Sequence, residues 1–284
     1  MSVPAPAAGA SDLVDLLVER LDGGDLALPP LPAVAQQVLS LVSDEQTSAE
    51  ALAVLVQRDA GLASTLVRHA NTAALGGVVR IVSVQQAVSR LGMRRVAELA
   101  VSVSLRSGIG AGSRYRSLLD ACWRRSLATG LFAKEIARVL RNNVEVAFLC
   151  GLLRGVGRPL ALHALSELLG EKARPQTPPA EAAAAEVAEA LAAPFASAAV
   201  HQWHLPETVA EAIQAPGDVA CRSPEASTAA LAERLADVAL AEAEDAPAPS
   251  LAGDEDARAL DLYADTLESL QARGPELRAE VDAL

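Results

Sequence analysis

The stretch that decides the fold is VAFLCGLLRGVGRPLAL, residues 146–162, together with the upstream stretch CWRRSLATGLFAKEIA, residues 122–137. Apolar residues in the first stretch recur at steps of three and four, which is the periodicity of a helix with one buried face. They are Phe148, Leu149, Leu152, Leu153, Val156 and Leu160. Ala147 and Gly151 are small, so a neighbouring helix is expected to approach closely at these positions. Both stretches are therefore predicted to be core helices.

The overall composition also favours an all-α fold. Of the 284 residues, 51% are hydrophobic but only 2% are aromatic, which is typical of helices packed through Ala, Leu and Val. No run of about 18 uninterrupted apolar residues occurs, so no membrane span is expected. Cys122, Cys150 and Cys221 are an odd and widely spaced set, which favours buried thiols in a reducing cytoplasm over disulfides or a zinc site.

The charge of the chain is strongly acidic overall but uneven. The sequence contains 24 basic and 36 acidic side chains, giving a formal net charge of −12. Nucleic acid is not expected as a partner, because contacts with phosphate supply most non-specific affinity for it. Residues 106–160, however, hold ten basic and three acidic side chains. This basic segment contains nearly all of the two predicted core helices.

Capping residues predict a series of short helices in the first third of the chain. Asp59 and Ser83 each stand directly before a helical pattern, where a side-chain oxygen accepts backbone N–H bonds. Gly92 ends the helix that Ser83 begins, and Asn71 is predicted to bond backbone groups near a helix end. Asp59 is also a candidate acid or metal ligand, but its position before a helix favours the capping role.

Three blocks in this region resemble a known family. They are LPPLPAVAQQVLSLVSD at 28–44, LVQRDAGLASTLVRHANTAALG at 55–76 and IVSVQQAVSRLGMRRVAELAVS at 81–102. Their order and spacing look like successive blocks of the HDOD family, HD-related output domains of bacterial signalling proteins, over roughly residues 26–215. The resemblance implies an HD-like helical scaffold that need not keep the metal ligands of the HD superfamily.

The stretch at 151–158 departs from the HD pattern where the chemistry should lie. The metal-dependent phosphohydrolases of the HD superfamily have a motif near G-L-L-H-D-I-G-K, whereas this chain has GLLRGVGR. The resemblance places the family's His on Arg154 and its metal-binding Asp on Gly155. A second pattern, W-x-H-S, places another His on Arg125. Arginine stays protonated and would repel a metal ion, so we expect no metal, no cofactor and no enzymatic activity.

The histidines around residues 201–216 do not form a metal site by their spacing. The W-x-L-P pattern is intact at 203–206, but the His pair expected after it falls near Ala215 and Pro216. His201 and His204 are three residues apart, yet two imidazoles without further ligands make a weak metal site. We interpret them as flanking a packed Trp203, and His69 as structural.

Three arginines form the candidate anion or partner pocket. Arg154 and Arg158 are four residues apart and are predicted to share one helical face. Arg125 should face them if the HD scaffold is retained. Three neighbouring guanidiniums need anions, which acidic side chains of this chain, a small anionic ligand or an acidic partner segment could each supply. The sequence leaves these alternatives open.

The predicted organisation has four segments. They are an N-terminal tail and short helix at 1–24, the N-terminal helical subdomain at 25–106, an HD-like subdomain without metal ligands at 107–220, and a helical extension at 221–284. The resemblance implies a non-catalytic signalling or scaffold protein that contacts a kinase, a response regulator or a second-messenger protein. The alternatives are a binding module for an anion such as a cyclic dinucleotide, or a metal-dependent phosphohydrolase with a rebuilt site.

Overall fold

The structure is a computed structural model, and it describes residues 10–33, 35–36, 54, 56–71, 80–110, 113–170, 178–214, 217–241, 251 and 253–283. Every regular element in these ranges is a helix, which confirms the predicted all-α class. The helices in chain order are α1 Ala10–Asp22, α2 Ala60–Ala70, α3 Val84–Leu91, α4 Met93–Gly108, α5 Arg116–Leu140, α6 Val144–Arg154, α7 Gly157–Gly170, α8 Glu181–Ala190, α9 Ala192–Trp203, α10 Glu207–Ile213, α11 Pro224–Leu240, α12 Glu255–Ala259, α13 Ala264–Ala272 and α14 Gly274–Asp282.

The chain forms two compact units, and neither is continuous in sequence. The first contains residues 1–30 and 109–274, and the second contains residues 31–108 and 275–284. These units divide the chain differently from the four predicted segments, because packing joins stretches that are distant in sequence. Most of the predicted extension, for example, belongs to the first unit. The four-segment division stays a prediction.

In the second unit, local hydrogen bonds fix the helix ends as predicted. The Asp59 side chain accepts from the Leu62 N–H at 3.0 Å and caps α2, and Ser83 caps α3. Asn71 binds the backbone of Ile81 in both directions, since its Oδ1 accepts from the Ile81 N–H and its Nδ2 donates to the Ile81 carbonyl. This amide therefore ties the end of α2 to the start of the α3 segment. The sequence also predicts a helix from Pro32 to about Ser43 and a capping box that begins at Thr47, but residues 37–53 lie outside the described residues.

The core of the first unit is a close crossing of α5 and α6, with α11 packed beside both. The apolar stripe predicted from Phe148 to Leu160 is buried throughout. A Cβ built on Gly151 would lie 2.7 Å from the Thr129 carbonyl oxygen. The predicted close approach at this glycine is therefore confirmed, because any side chain there would separate the two helices.

The W-x-L-P pattern at 203–206 lies beside an extended N-terminal segment of the same unit and binds it. Trp203 is buried, and its Nε1 donates to the Pro29 carbonyl at 3.0 Å. Gln202 donates to the Leu28 carbonyl at 2.8 Å. Trp123 is buried as well. The end of α9 thus binds the backbone of residues 28–29 within the same unit.

Two helix predictions are wrong in their continuity. Residues 146–162 are two helices and not one, because α6 ends at Arg154 and α7 begins at Gly157 after a short turn. The sequence also predicts one helix from about Glu255 to Gln271, but the structure has two there, α12 and α13. Between them Asp261 has a left-handed φ of 54°, and the Leu262 N–H donates to the Ala257 carbonyl at 2.8 Å.

Within the described part of the chain, no single helix has the length and apolar character needed to cross a membrane. Only α8 and α9 taken together meet that criterion on length and composition, and they meet at a bend of 57°.

Candidate functional site

The three arginines predicted to form a pocket do meet, although from three helices. Arg125 lies in the middle of α5, Arg154 is the last residue of α6, and Arg158 is the second residue of α7. The prediction that Arg154 and Arg158 share one helical face is wrong, since the turn at Gly155 separates their helices. That turn nevertheless brings both side chains towards α11, which packs against α5 and α6.

A single carboxylate, Glu233 of α11, lies between the three guanidiniums. Its Oε1 accepts from Arg125 Nη1 at 2.6 Å, and its Oε2 accepts from Arg154 Nε at 2.8 Å. Arg158 Nη1 lies 3.4 Å from the same Oε1. Only 18% of the Glu233 side chain is exposed. Both oxygens of Glu233 are therefore occupied by positive partners inside a largely closed site.

Two further carboxylates hold the outer ends of Arg125 and Arg158. Asp237, one turn after Glu233, accepts from Arg125 Nε at 2.5 Å and from Nη2 at 2.7 Å. Glu189 of α8 accepts from Arg158 Nε at 2.6 Å and from Nη2 at 2.9 Å. Both pairs are bidentate, which is the geometry in which a guanidinium binds a carboxylate most strongly. We call the six residues Arg125, Arg154, Arg158, Glu189, Glu233 and Asp237 the arginine cluster.

The formal charges of the arginine cluster cancel, and the pKa values reflect this pairing. Burial by itself raises the pKa of Glu233, but the charges of Arg125 and Arg154 outweigh it and hold that pKa below its ordinary value. The hydrogen bond from Arg158 likewise lowers the pKa of Glu189. The hydrogen bond to Asp237 raises the pKa of Arg125. Glu233, Glu189 and Arg125 are thus ionised near neutral pH.

The residues at the positions of the family's metal ligands do not fit a metal ion. Arg125 and Arg154 cannot offer a lone pair, and the oxygens of Glu233 are engaged by guanidiniums. A Cβ built on Gly155 would lie 2.6 Å from Ser126 Oγ, so the space for a longer ligand is taken. In the described ranges, no group of three or more His, Cys, Asp or Glu side chains is arranged to hold a metal.

The remaining candidate residues have structural surroundings. His69 is buried, and burial lowers its pKa to about 4, so it is neutral near pH 7. His201 and His204 are exposed on either side of buried Trp203. Cys150 is buried, and burial raises its pKa to about 12, which makes its thiol unreactive. The residues aligned with the lost His pair, at 215–216, lie outside the described ranges.

A second concave feature in the same unit is a cleft of about 380 Å³ between residues 25–30 and α7. His163 lines it and is half-buried, with Glu167 one turn further along α7. Arg20 and Asp25 contribute further charges to its wall. The cleft is lined by both charged and apolar side chains.

The sequence predicted the basic half of the cluster and missed the acidic half. Glu233, Asp237 and Glu189 were not singled out among the 36 acidic residues. Their spacing does indicate a paired role, since Glu233 and Asp237 are four residues apart and would share one face of a helix. That face could be paired with Arg125 only by knowing that α11 packs on α5.

Comparison with known proteins identifies the relatives of this chain. The HDOD domain profile matches residues 28–218. An uncharacterised protein of Treponema pallidum (strain Nichols) is 26% identical over 214 residues, which cover 70% of this chain and 38% of the relative. The chain thus spans less than half of the length of the curated relative that it matches.

Solved structures with the same fold include three with TM-scores above 0.6. An HDOD domain protein of Geobacter sulfurreducens is 19% identical with a TM-score of 0.70, and a candidate metal-dependent phosphohydrolase of Shewanella amazonensis SB2B is 20% identical with a TM-score of 0.66; each match covers 96% of this chain and 98% of the other. A candidate signal transduction protein of Marinobacter aquaeolei VT8 is 23% identical with a TM-score of 0.63, covering 96% of this chain and 64% of the other. At these identities the similarity shows the fold alone.

Proposed function

The chain belongs to the HDOD family, and from this premise we propose that it is a non-catalytic scaffold in bacterial signal transduction that acts through protein–protein contacts. HDOD domains are HD-related output domains, so the resemblance supports a role in signalling. The proposal assigns to this chain neither a metal cofactor nor a chemical step.

The observation that supports a non-catalytic role is the arginine cluster itself. At the positions where the resemblance places metal ligands, the chain has two guanidiniums and a glycine. Glu233 binds both guanidiniums, and Ser126 occupies the space beside Gly155. A metal ion would have to displace these ion pairs. Arginine would still stand where the HD superfamily has imidazole ligands. The site therefore favours a structural over a catalytic use of the HD scaffold.

The proposed partner is a signalling protein: a kinase, a response regulator or a second-messenger protein. A cytoplasmic location is proposed with it, because those partners act there. These statements follow from the family, and the relative from Treponema pallidum is much longer than this chain. Activities and partners of a whole relative are therefore carried over only as proposals.

Hydrolysis assays test the non-catalytic part of the proposal. The purified chain is incubated with Mn²⁺, Mg²⁺ or Fe²⁺ and with a phosphomonoester or a cyclic dinucleotide, and we expect no turnover above buffer. The Arg154→Ala variant is the matched control, since contaminating activity would be the same in both preparations. Turnover by the wild type that Arg154→Ala changes would overturn the proposal.

Partner capture tests the scaffold part. The tagged chain is cross-linked in its native host, and each protein recovered is then purified and titrated against the purified chain. We expect a kinase, response regulator or second-messenger protein that binds directly. If directly binding proteins come only from unrelated classes, the signalling role is wrong.

One observation favours a second candidate, a module that binds an anion. Two carboxylates of the arginine cluster, Glu189 and Asp237, are exposed at 66% and 47%. Exposed carboxylates can leave their partners at small cost, which would make Arg158 and Arg125 available to an external anion.

A further inference from the structure

We propose that Arg125 and Arg158 form an exchangeable site for a phosphoryl group, which binds by displacing Glu189 and Asp237 while Glu233 stays in place. The proposal rests on the proposed function, because it names the chemistry through which a ligand or partner would engage the arginine cluster. It concerns binding only and includes no chemical step.

The first argument is that the carboxylates of the cluster differ in exposure. Glu233 is 18% exposed and contacts all three arginines, so it is a fixed internal counter-ion. Asp237 and Glu189 are far more exposed, and in the described contacts each binds only one arginine of the cluster. Exposed ion pairs contribute little to stability, since water and salt compete with them. The outer two carboxylates are therefore the exchangeable part of the cluster.

The second argument is the arrangement of the two outer guanidiniums. Arg125 Nη1 and Arg158 Nη1 both approach Glu233 Oε1, at 2.6 and 3.4 Å, so the two guanidiniums are neighbours. Each presents its Nε and Nη2 donors outward, to Asp237 and Glu189 respectively. One ligand that reaches both would thus meet two pairs of donors whose guanidiniums share Glu233 as an internal partner.

The third argument is the match of charge and acceptors. A phosphoryl group has a charge of about −1.5 to −2 near neutral pH and three acceptor oxygens. It would replace the two negative charges of Glu189 and Asp237 with one group, so the cluster would stay close to neutral. Guanidinium forks bind phosphate in bidentate fashion, as they bind carboxylate. The displaced side chains would turn into solvent, where they already have much of their surface.

The test compares variants in which the competing carboxylates are removed. The full chain is titrated with inorganic phosphate and with pyrophosphate by isothermal titration calorimetry, at one ionic strength set with sodium chloride. The variant Glu189→Gln/Asp237→Asn should bind phosphate about tenfold more tightly than the wild type, because no internal carboxylate competes for the forks. The control variant, Glu186→Gln/Glu268→Gln, removes the same charge from other exposed positions and should behave as the wild type.

Loss of a fork should then abolish the gain. Adding Arg158→Ala to Glu189→Gln/Asp237→Asn should return the affinity for phosphate to that of the wild type or below. Arg158→Lys should give an intermediate affinity, because it keeps the charge and loses the bidentate geometry. Far-UV circular dichroism checks that each variant is folded, and Glu189→Gln alone replaces the double variant if the latter unfolds.

The source of the phosphoryl group is decided by a second titration. A phosphoserine peptide that binds more tightly than inorganic phosphate assigns the site to a phosphorylated partner, and an equal or weaker peptide assigns it to a free phosphate compound. The proposal is overturned if the affinity of Glu189→Gln/Asp237→Asn for phosphate equals or falls below that of the wild type, or that of the control variant. That failure would leave the scaffold proposal in place, since the hydrolysis and capture experiments test it separately.

Discussion

Two adjacent residues of α11 enter two different arginine–carboxylate clusters. Glu233 joins the arginine cluster, where one carboxylate lies between three arginines. Arg234 joins what we call the Asp256 cluster, consisting of Asp254, Asp256, Arg222 and Arg234. There Asp256 is only 2% exposed and accepts from Arg222 Nη1 and from Arg234 Nη2, each at 2.7 Å. Asp254 accepts from Arg234 and also caps α12.

The difference between the clusters lies in what surrounds the buried carboxylate. In the Asp256 cluster only Arg234, at 37%, is appreciably exposed, and both oxygens of the buried Asp256 bind Arg222. In the arginine cluster the exposed members are carboxylates, so two of the three arginines keep a partner if Glu233 is lost. Similar ion pairs can thus be buried and structural in the Asp256 cluster, and exposed and exchangeable in the arginine cluster.

The largest expected effect is therefore in the Asp256 cluster. Asp256→Asn should lower the free energy of unfolding by about 3 kcal/mol, because it removes a buried carboxylate charge that Arg222 and Arg234 share. Urea unfolding followed by far-UV circular dichroism measures this. Glu268→Gln, an exposed acid on α13, is the control and should change stability by less than about 0.5 kcal/mol. A loss for Asp256→Asn as small as the control would remove the distinction between the clusters.

Removing the centre of the arginine cluster should have a smaller effect. Glu233→Gln should lower the free energy of unfolding by about 2 kcal/mol, since Arg154 loses its carboxylate while Arg125 and Arg158 keep Asp237 and Glu189. The same urea experiment applies. A larger loss of unfolding free energy for Glu233→Gln than for Asp256→Asn would contradict this ranking. Asp237 and Glu189 would then not compensate for the missing charge of Glu233.

The pH dependence of stability tests whether ionised Glu233 stabilises the folded state. The pKa of folded Glu233 is below its ordinary value, so at low pH the unfolded state binds the proton first. The stabilisation from Glu233 is thus complete above its ordinary pKa and is lost as the pH falls through the lower, folded pKa. The difference in stability between wild type and Glu233→Gln should be constant from pH 7 to about pH 5 and should shrink below that. A difference that grows as the pH falls would contradict the sign.

The smallest effect is expected at Gly155, where the resemblance to the HD superfamily places a metal-binding Asp. Gly155→Ala should lower stability by about 1 kcal/mol, because the new Cβ meets Ser126 Oγ and the hydroxyl must move. Gly155→Ala/Ser126→Ala should recover most of this loss. If the double variant is as unstable as the single variant, the crowding at Gly155 has another cause.

The sequence predicted features that depend on local patterns. The caps at Asp59 and Ser83, the buried stripe of α6 and the close crossing at Gly151 follow from residue types and spacing. The break after Arg154 was missed because a buried stripe continues through Val156 to Leu160 across the turn, so periodicity alone does not reveal it. Glu233 was missed because its role depends on a contact with Arg125, 108 positions away in the chain.

The metal content of the purified chain tests the central claim most directly, namely that ion pairs have replaced the metal centre of the HD scaffold. The chain is expressed in medium supplemented with iron, manganese, zinc and magnesium, purified without chelators, and analysed by inductively coupled plasma mass spectrometry beside Glu233→Gln. We predict no stoichiometric metal in either protein, because Arg125 and Arg154 occupy the ligand positions. A stoichiometric transition metal in the wild type would contradict the account.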